Sequence, residues 1–153
     1  MDEESENIRP TELDDLSHRE LLMMYSECAT SIRYAKSKQW HTLAGALAFY
    51  IILGILANNL SKEDFLYKVC LGLSTFVTVC AIYGLIIYQT WQNNERRKLH
   101  YIAECLSSHL RKIRAITSSA ETKFHRYTLF FFMLIALLIA NWLLILEVYR
   151  QSF

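Results

Sequence analysis

Three long runs of apolar residues constrain this chain more than any other feature: "HTLAGALAFYIILGILA" (41–57), "VCLGLSTFVTVCAIYGLIIY" (69–88) and "YTLFFFMLIALLIANWLLIL" (127–146). Each is continuous rather than periodic, so a helix built from it is apolar all round. Such a helix is at home in a large core or in hydrocarbon. At ~1.5 Å per residue, about 20 residues cross the ~30 Å hydrocarbon core of a bilayer. In a chain of 153 residues that is 53% hydrophobic, the remaining sequence is too short to bury three such helices in water. The expected fold class is an all-α membrane protein with three transmembrane helices, spanning 41–60, 66–90 and 127–148.

Charge is segregated although the formal total is only +1. Residues 1–20 carry eight acidic groups against Arg9 and Arg19, whereas residues 91–126 carry eight basic groups against Glu95, Glu104 and Glu121. Lys and Arg beside a span resist translocation, so the basic clusters set the topology. Arg33, Lys36 and Lys38 precede the first span, Arg96, Arg97 and Lys98 follow the second, and Lys123 and Arg126 precede the third. All three clusters are expected on the cytoplasmic side of the membrane. The N-terminus is then cytoplasmic and the C-terminus periplasmic, with "NNLSKED" (58–64) as a tight outer turn. Trp40, Trp91, Tyr88, Tyr127 and Tyr149 stand near the water boundaries, as aromatic belts do. The forty polar residues before the first run do not resemble a cleavable signal peptide, so the first span is expected to target the chain itself. Four cysteines, two of them inside the second run, fit a reducing compartment or burial in lipid.

The polar segments next to the first two spans read as helices. "SHRE" (17–20) fits a capping box, and from it Leu21, Met24, Cys28, Ile32 and Ala35 follow at helical spacing. After the second span Leu99, Ile102, Leu106, Leu110 and Ile113 do the same. With no proline in either stretch, both helices should continue beyond the membrane and zip into a cytoplasmic antiparallel stalk. "TSSAE" (117–121) offers a second capping box, from Ser118 to Glu121, for a third helix. The expected organisation is a flexible acidic tail (1–17), a helical hairpin with its stalk (18–116) and a third helix (117–153).

Few residues point to chemistry. His100 with Glu104, and Cys105 with His109, are i,i+4 pairs, but the two pairs lie on opposite sides of a helix. Stalk-face polar residues explain them without a metal, because no closed zinc spacing is present. Glycine-rich phosphate loops, serine elbows and paired carboxylates in an apolar setting are missing, so neither catalysis nor a cofactor is expected. Arg111, Lys112 and Arg114 lie some 30 Å along the helix from the membrane, beyond the reach of the topological explanation. They are candidates for contact with a partner or with nucleic acid, and the acidic tail competes for the same place.

Within the spans, Ala44 with Ala48, Cys80 with Gly84, and Ala136 with Ala140 are small-xxx-small pairs that permit close helix approach. Ser74, Thr75 and Thr78 can bond back to their own helix or line a wet path. Asn141 is the sharpest intramembrane feature, because an amide in hydrocarbon seeks a partner on a neighbouring helix. Its expected role is helix association. No charged residue stands in the middle of a span, which argues against proton-coupled transport and a charge-lined pore.

The order of residues 18–116, an amphipathic helix, a two-span hairpin with a very short outer turn and a returning helix, resembles the small two-span effectors of bacterial anti-phage systems. These include SLATT-type effectors of nucleotide-signalling systems and retron-associated transmembrane effectors; the third span lies outside that pattern. The resemblance implies an oligomeric membrane effector that permeabilises the bilayer on a cytosolic signal. It also implies restraint by a cytosolic regulatory protein or nucleoprotein complex. The alternative from the residues alone is a non-catalytic scaffold or assembly subunit that holds a soluble partner through its stalk.

Overall fold

The computed structural model describes residues 14–59, 64–105 and 119–152. They form three α-helices, α1 (Asp15–Asn59), α2 (Asp64–Cys105) and α3 (Ser119–Ser152), and no strand occurs among the described residues. All three helices are long and apolar enough to cross a membrane, which makes the chain a multi-pass membrane protein. The 45 residues of α1 and 42 of α2 reach roughly 65 Å at helical rise, about twice a hydrocarbon core. Each therefore has a polar half that continues its apolar one.

The helix starts are close to those expected. The Asp14 carbonyl accepts the His18 N–H at 3.0 Å, which puts Asp14 at the cap position and Ser17 inside the first turn. α1 thus begins slightly before the "SHRE" box, and Asp15 to Ser17 are helical rather than part of a tail. α3 starts at Ser119; Ser118, expected to cap it, lies outside the described residues. At its far end α1 stops at Asn59, whose side-chain Nδ2 donates back to the Ile55 carbonyl at 2.8 Å. Residues 60–63 of the expected outer turn are also outside the described residues, as are residues 1–13 of the acidic tail.

One seam organises the hairpin. The buried positions of α1 are Cys28, Ala35, Gln39, Leu43, Ala46, Tyr50, Leu53 and Ala57. They advance mostly in steps of three and four, the 3.5-residue repeat of knobs-into-holes packing. In α2 the matching residues run from Cys70, Ser74 and Thr78 through Ala81 and Leu85 to Leu99 and Ile102. Contacts run in opposite order along the two helices: Tyr50 meets Thr78, Gln39 meets Gln89, and Cys28 packs with Leu99 and Ile102. α3 adds Met133, Leu137, Leu144 and Val148 to the membrane-level core.

The polar half of the hairpin packs through Cys28, Leu99 and Ile102, flanked by Leu21, Tyr25 and Ile32. Met24, expected in this stripe, is exposed, and the half-buried Tyr25 stands in its place. Leu106, Leu110 and Ile113 lie outside the described residues. Away from the seam the spans present large apolar side chains outward, among them Ile51, Ile55, Phe76, Val79, Phe131 and Trp142. Hydrocarbon is the solvent that suits such a surface.

Candidate functional site

The positions that break the apolar rule are the polar ones buried in the seam. A buried amide or hydroxyl in a low-dielectric interior costs free energy unless it is paired, so each group needs a partner. The most polar layer lies at the boundary between the apolar and polar halves of the hairpin. Gln39 Nε2 donates to Gln89 Oε1 at 3.1 Å and approaches the Leu85 carbonyl at 3.5 Å, while Gln39 Oε1 accepts from Gln92 Nε2 at 2.8 Å. All three glutamines are buried. Gln39 is the hub of this layer, because it pairs with both of the others.

A second layer lies deeper in the span. The Tyr50 and Thr78 hydroxyls are 2.7 Å apart, and Thr78 Oγ1 also donates to the Ser74 carbonyl at 2.7 Å. Ser74 and Thr75 hydroxyls both return to the Leu71 carbonyl, at 3.0 and 2.9 Å. The Ser74, Thr75 and Thr78 hydroxyls are therefore satisfied on their own helix, and Tyr50 carries the link across to α1.

A third layer lies in the polar half. Glu95 is 8% exposed and accepts from Lys98 Nζ at 2.7 Å. The Lys98 hydrogen bond holds the Glu95 carboxyl below the usual range against the opposing pull of burial, and the Cys28 thiol adds to the effect. Burial in turn pushes the Cys28 thiol up, with the hydrogen-bonded Glu95 charge as the next cause. Cys28 and Glu95 thus face each other across the seam, and a thiol pushed up by burial is a weaker nucleophile than a free one. Near the same boundary Tyr34 and Trp91 meet edge to face with centroids 6.0 Å apart, and Lys38 stands over the Tyr34 ring.

Asn141 stands half-buried in α3, and its Oδ1 is buried with no hydrogen-bond partner among the described residues. Ala140, its immediate neighbour in sequence, and Ala136 pack against the core. A Cβ added at Gly84 would meet Thr42 Cγ2 at 3.8 Å, so Gly84 faces α1 at ordinary contact distance. Ala44 and Ala48, in contrast, are exposed on the outer face of α1. The structure thus divides the small-residue pairs between inner packing and the outward surface.

His100 Nδ1 lies 2.9 Å from Glu104 Oε1, the i,i+4 pair anticipated from spacing, and Cys105 is exposed. Among the described residues no three His, Cys, Asp or Glu side chains converge on one point. At the opposite end, Arg150 Nη2 approaches Glu147 Oε1 at 3.3 Å. His109, Arg111, Lys112 and Arg114 lie outside the described residues. Sequence reasoning passed over Gln39, Gln89, Gln92 and Glu95. The available signal was their phase, since each continues the seam in steps of three and four. No known protein family, curated protein or solved structure matches this chain.

Proposed function

We propose that this chain is a small oligomerising effector of a bacterial inner membrane, in anti-phage defence of the retron or SLATT-like kind, which permeabilises the bilayer on a cytosolic signal. The observation that carries the reading is Asn141: an amide oxygen buried in a membrane-level helix with no partner among the described residues. In hydrocarbon such a group gains by reaching another helix, and α3 itself is docked through apolar residues. Lipid tails are as apolar as those residues, so α3 is the helix most easily exchanged between its own hairpin and further copies of the chain. The hairpin supplies the antiparallel cytoplasmic stalk on which a regulatory protein or nucleoprotein complex acts. Topology rests on the basic clusters, with the N-terminus inside and the C-terminus outside.

The test is induction of the gene in bacteria, alone and with its genomic neighbours, while following entry of a membrane-impermeant dye. Dye entry and growth arrest under at least one condition are expected. Normal growth with an intact membrane under every condition would sink the effector reading.

A scaffold role is the second reading, favoured by Leu16, Leu22, Met23 and Met24, which are exposed on the polar half of α1. Apolar groups clustered there suit a soluble partner. Copurification decides it: an intact chain that retains no soluble protein is not a scaffold.

A further inference from the structure

A cavity of about 440 Å³ opens between the start of α3 and the hairpin, beside the glutamine layer. Among the described residues each helix contributes one Lys or Arg to its lining: Lys36 from α1, Arg96 from α2 and Arg126 from α3. No Asp or Glu among the described residues lines it. Leu129, Phe130 and Met133 of α3 form an apolar wall that leads towards the membrane-level core. Gln89 lines the cavity too; it is 6% exposed, and its Nε2 is buried without a hydrogen-bond acceptor among the described residues. The same holds for Nε of Arg126. The site therefore combines three positive charges, spare buried donors and an adjoining apolar wall.

We propose that this cavity binds the phosphate of an anionic phospholipid, with the phosphate among Lys36, Arg96 and Arg126 and the start of an acyl chain against Phe130 and Met133. Guanidinium and ammonium groups suit phosphate oxygens, and the charges of Lys36 and Arg126 favour an anion over a zwitterion. Depth agrees with this occupant. Lys36 precedes the first apolar run, Arg96 follows the second and Arg126 precedes the third, so all three stand at one membrane boundary, the level of a headgroup. The space is too large for a phosphate alone, and its polar-to-apolar lining matches an amphiphile. An occupant touching Arg126 and Lys36 together ties α3 to the hairpin. The site stands on the membrane-spanning fold and is independent of the effector reading.

The experiment is native mass spectrometry of the purified full chain in detergent, titrated with phosphatidic acid, phosphatidylcholine or glycerol phosphate. One phosphatidic acid per chain is expected, preferred about tenfold or more over phosphatidylcholine. Lys36→Gln with Arg126→Gln should abolish the preference, Arg126→Lys should keep most of it, and Arg150→Gln, remote from the cavity, should leave it unchanged. Circular dichroism and monodisperse elution show that each variant is folded. Equal retention of the two lipids, or an undiminished preference in the folded double variant, would overturn the proposal. Displacement of the lipid by glycerol phosphate at equal concentration would assign the cavity to a soluble phosphate compound and overturn the lipid as occupant.

Discussion

The two interfaces of this bundle are built on different chemistry. Between α1 and α2, hydrogen-bonded polar groups recur along the seam, Gln39 with Gln89 and Gln92 and Tyr50 with Thr78, and the buried Glu95 influences Cys28 further along it. α3 docks with Met133, Leu137, Leu144 and Val148, and all of its buried positions among the described residues are apolar. In water the apolar interface would be the stronger. In lipid the order changes, because apolar contact between helices replaces equally apolar contact with lipid tails, while a buried amide that loses its partner has no water to turn to. Polar layers also fix register, as a single buried amide does in coiled coils. On the proposed reading the hairpin is therefore the fixed unit and α3 the exchangeable one.

The contrast is broken most severely at Gln39. Gln39→Ala removes both amide partners at once and strands buried groups on Gln89 and Gln92, with an expected loss of about 3 kcal/mol in detergent unfolding. Replacing all three glutamines with Leu should cost much less, within about 1 kcal/mol of wild type, since no polar group is then left unpaired. Equal losses for the two variants would show that the layer acts by shape rather than by pairing.

On α3, Asn141→Leu should leave the folded monomer intact but weaken oligomers by about 1–2 kcal/mol and lower toxicity. Cys105→Ala with His109→Ala should change neither. Crosslinking in membranes and dye entry measure both effects, and the reverse ranking would restore the metal reading.

Acid should loosen the hairpin. The Glu95 carboxyl is held below its ordinary range, so its contribution is full above the unfolded carboxylate value and is lost as pH falls through the depressed folded value. Lys98 is well exposed, with a side chain at 59%, so solvent screening keeps the contribution of the pair modest. Unfolding followed against pH should show this acid loss in wild type, and Glu95→Gln should remove it. The smallest effect is expected at Tyr50→Phe, about 0.6 kcal/mol in the same assay, because Thr78 keeps its bond to the Ser74 carbonyl.

Much of this architecture was legible in the residues. Three helices, and the continuation of α1 and α2 past their apolar runs, follow from continuous apolar runs, helical spacing and the absence of proline after Pro10. Cys28, Leu99 and Ile102 were recognisable as seam residues because polar neighbours set them off. Inside the spans the seam was hidden, since lipid-facing residues are as apolar as core ones and hydrophobic periodicity disappears. Leu43 and Ile51 look alike in the sequence, yet one is buried and the other is 64% exposed. The glutamine layer went unread for a related reason: Gln39, Gln89 and Gln92 border the spans, where polar residues usually face water. Only the pairing of two distant helices shows that they face each other.

The division into fixed hairpin and exchangeable α3 is tested most directly by bridging each interface in turn and watching the bilayer. With Cys28, Cys70, Cys80 and Cys105 replaced by Ala, Gly54→Cys with Leu144→Cys places thiols across α1 and α3, where a Gly54 Cβ would lie 3.5 Å from Leu144 Cδ1. Tyr50→Cys with Thr78→Cys does the same across α1 and α2. A short thiol-specific crosslinker is added before induction of dye entry. Bridging α3 to the hairpin is expected to block dye entry, and bridging α1 to α2 to leave it unchanged. Dye entry that survives the α3 bridge, or stops only when the hairpin is bridged, would contradict the division.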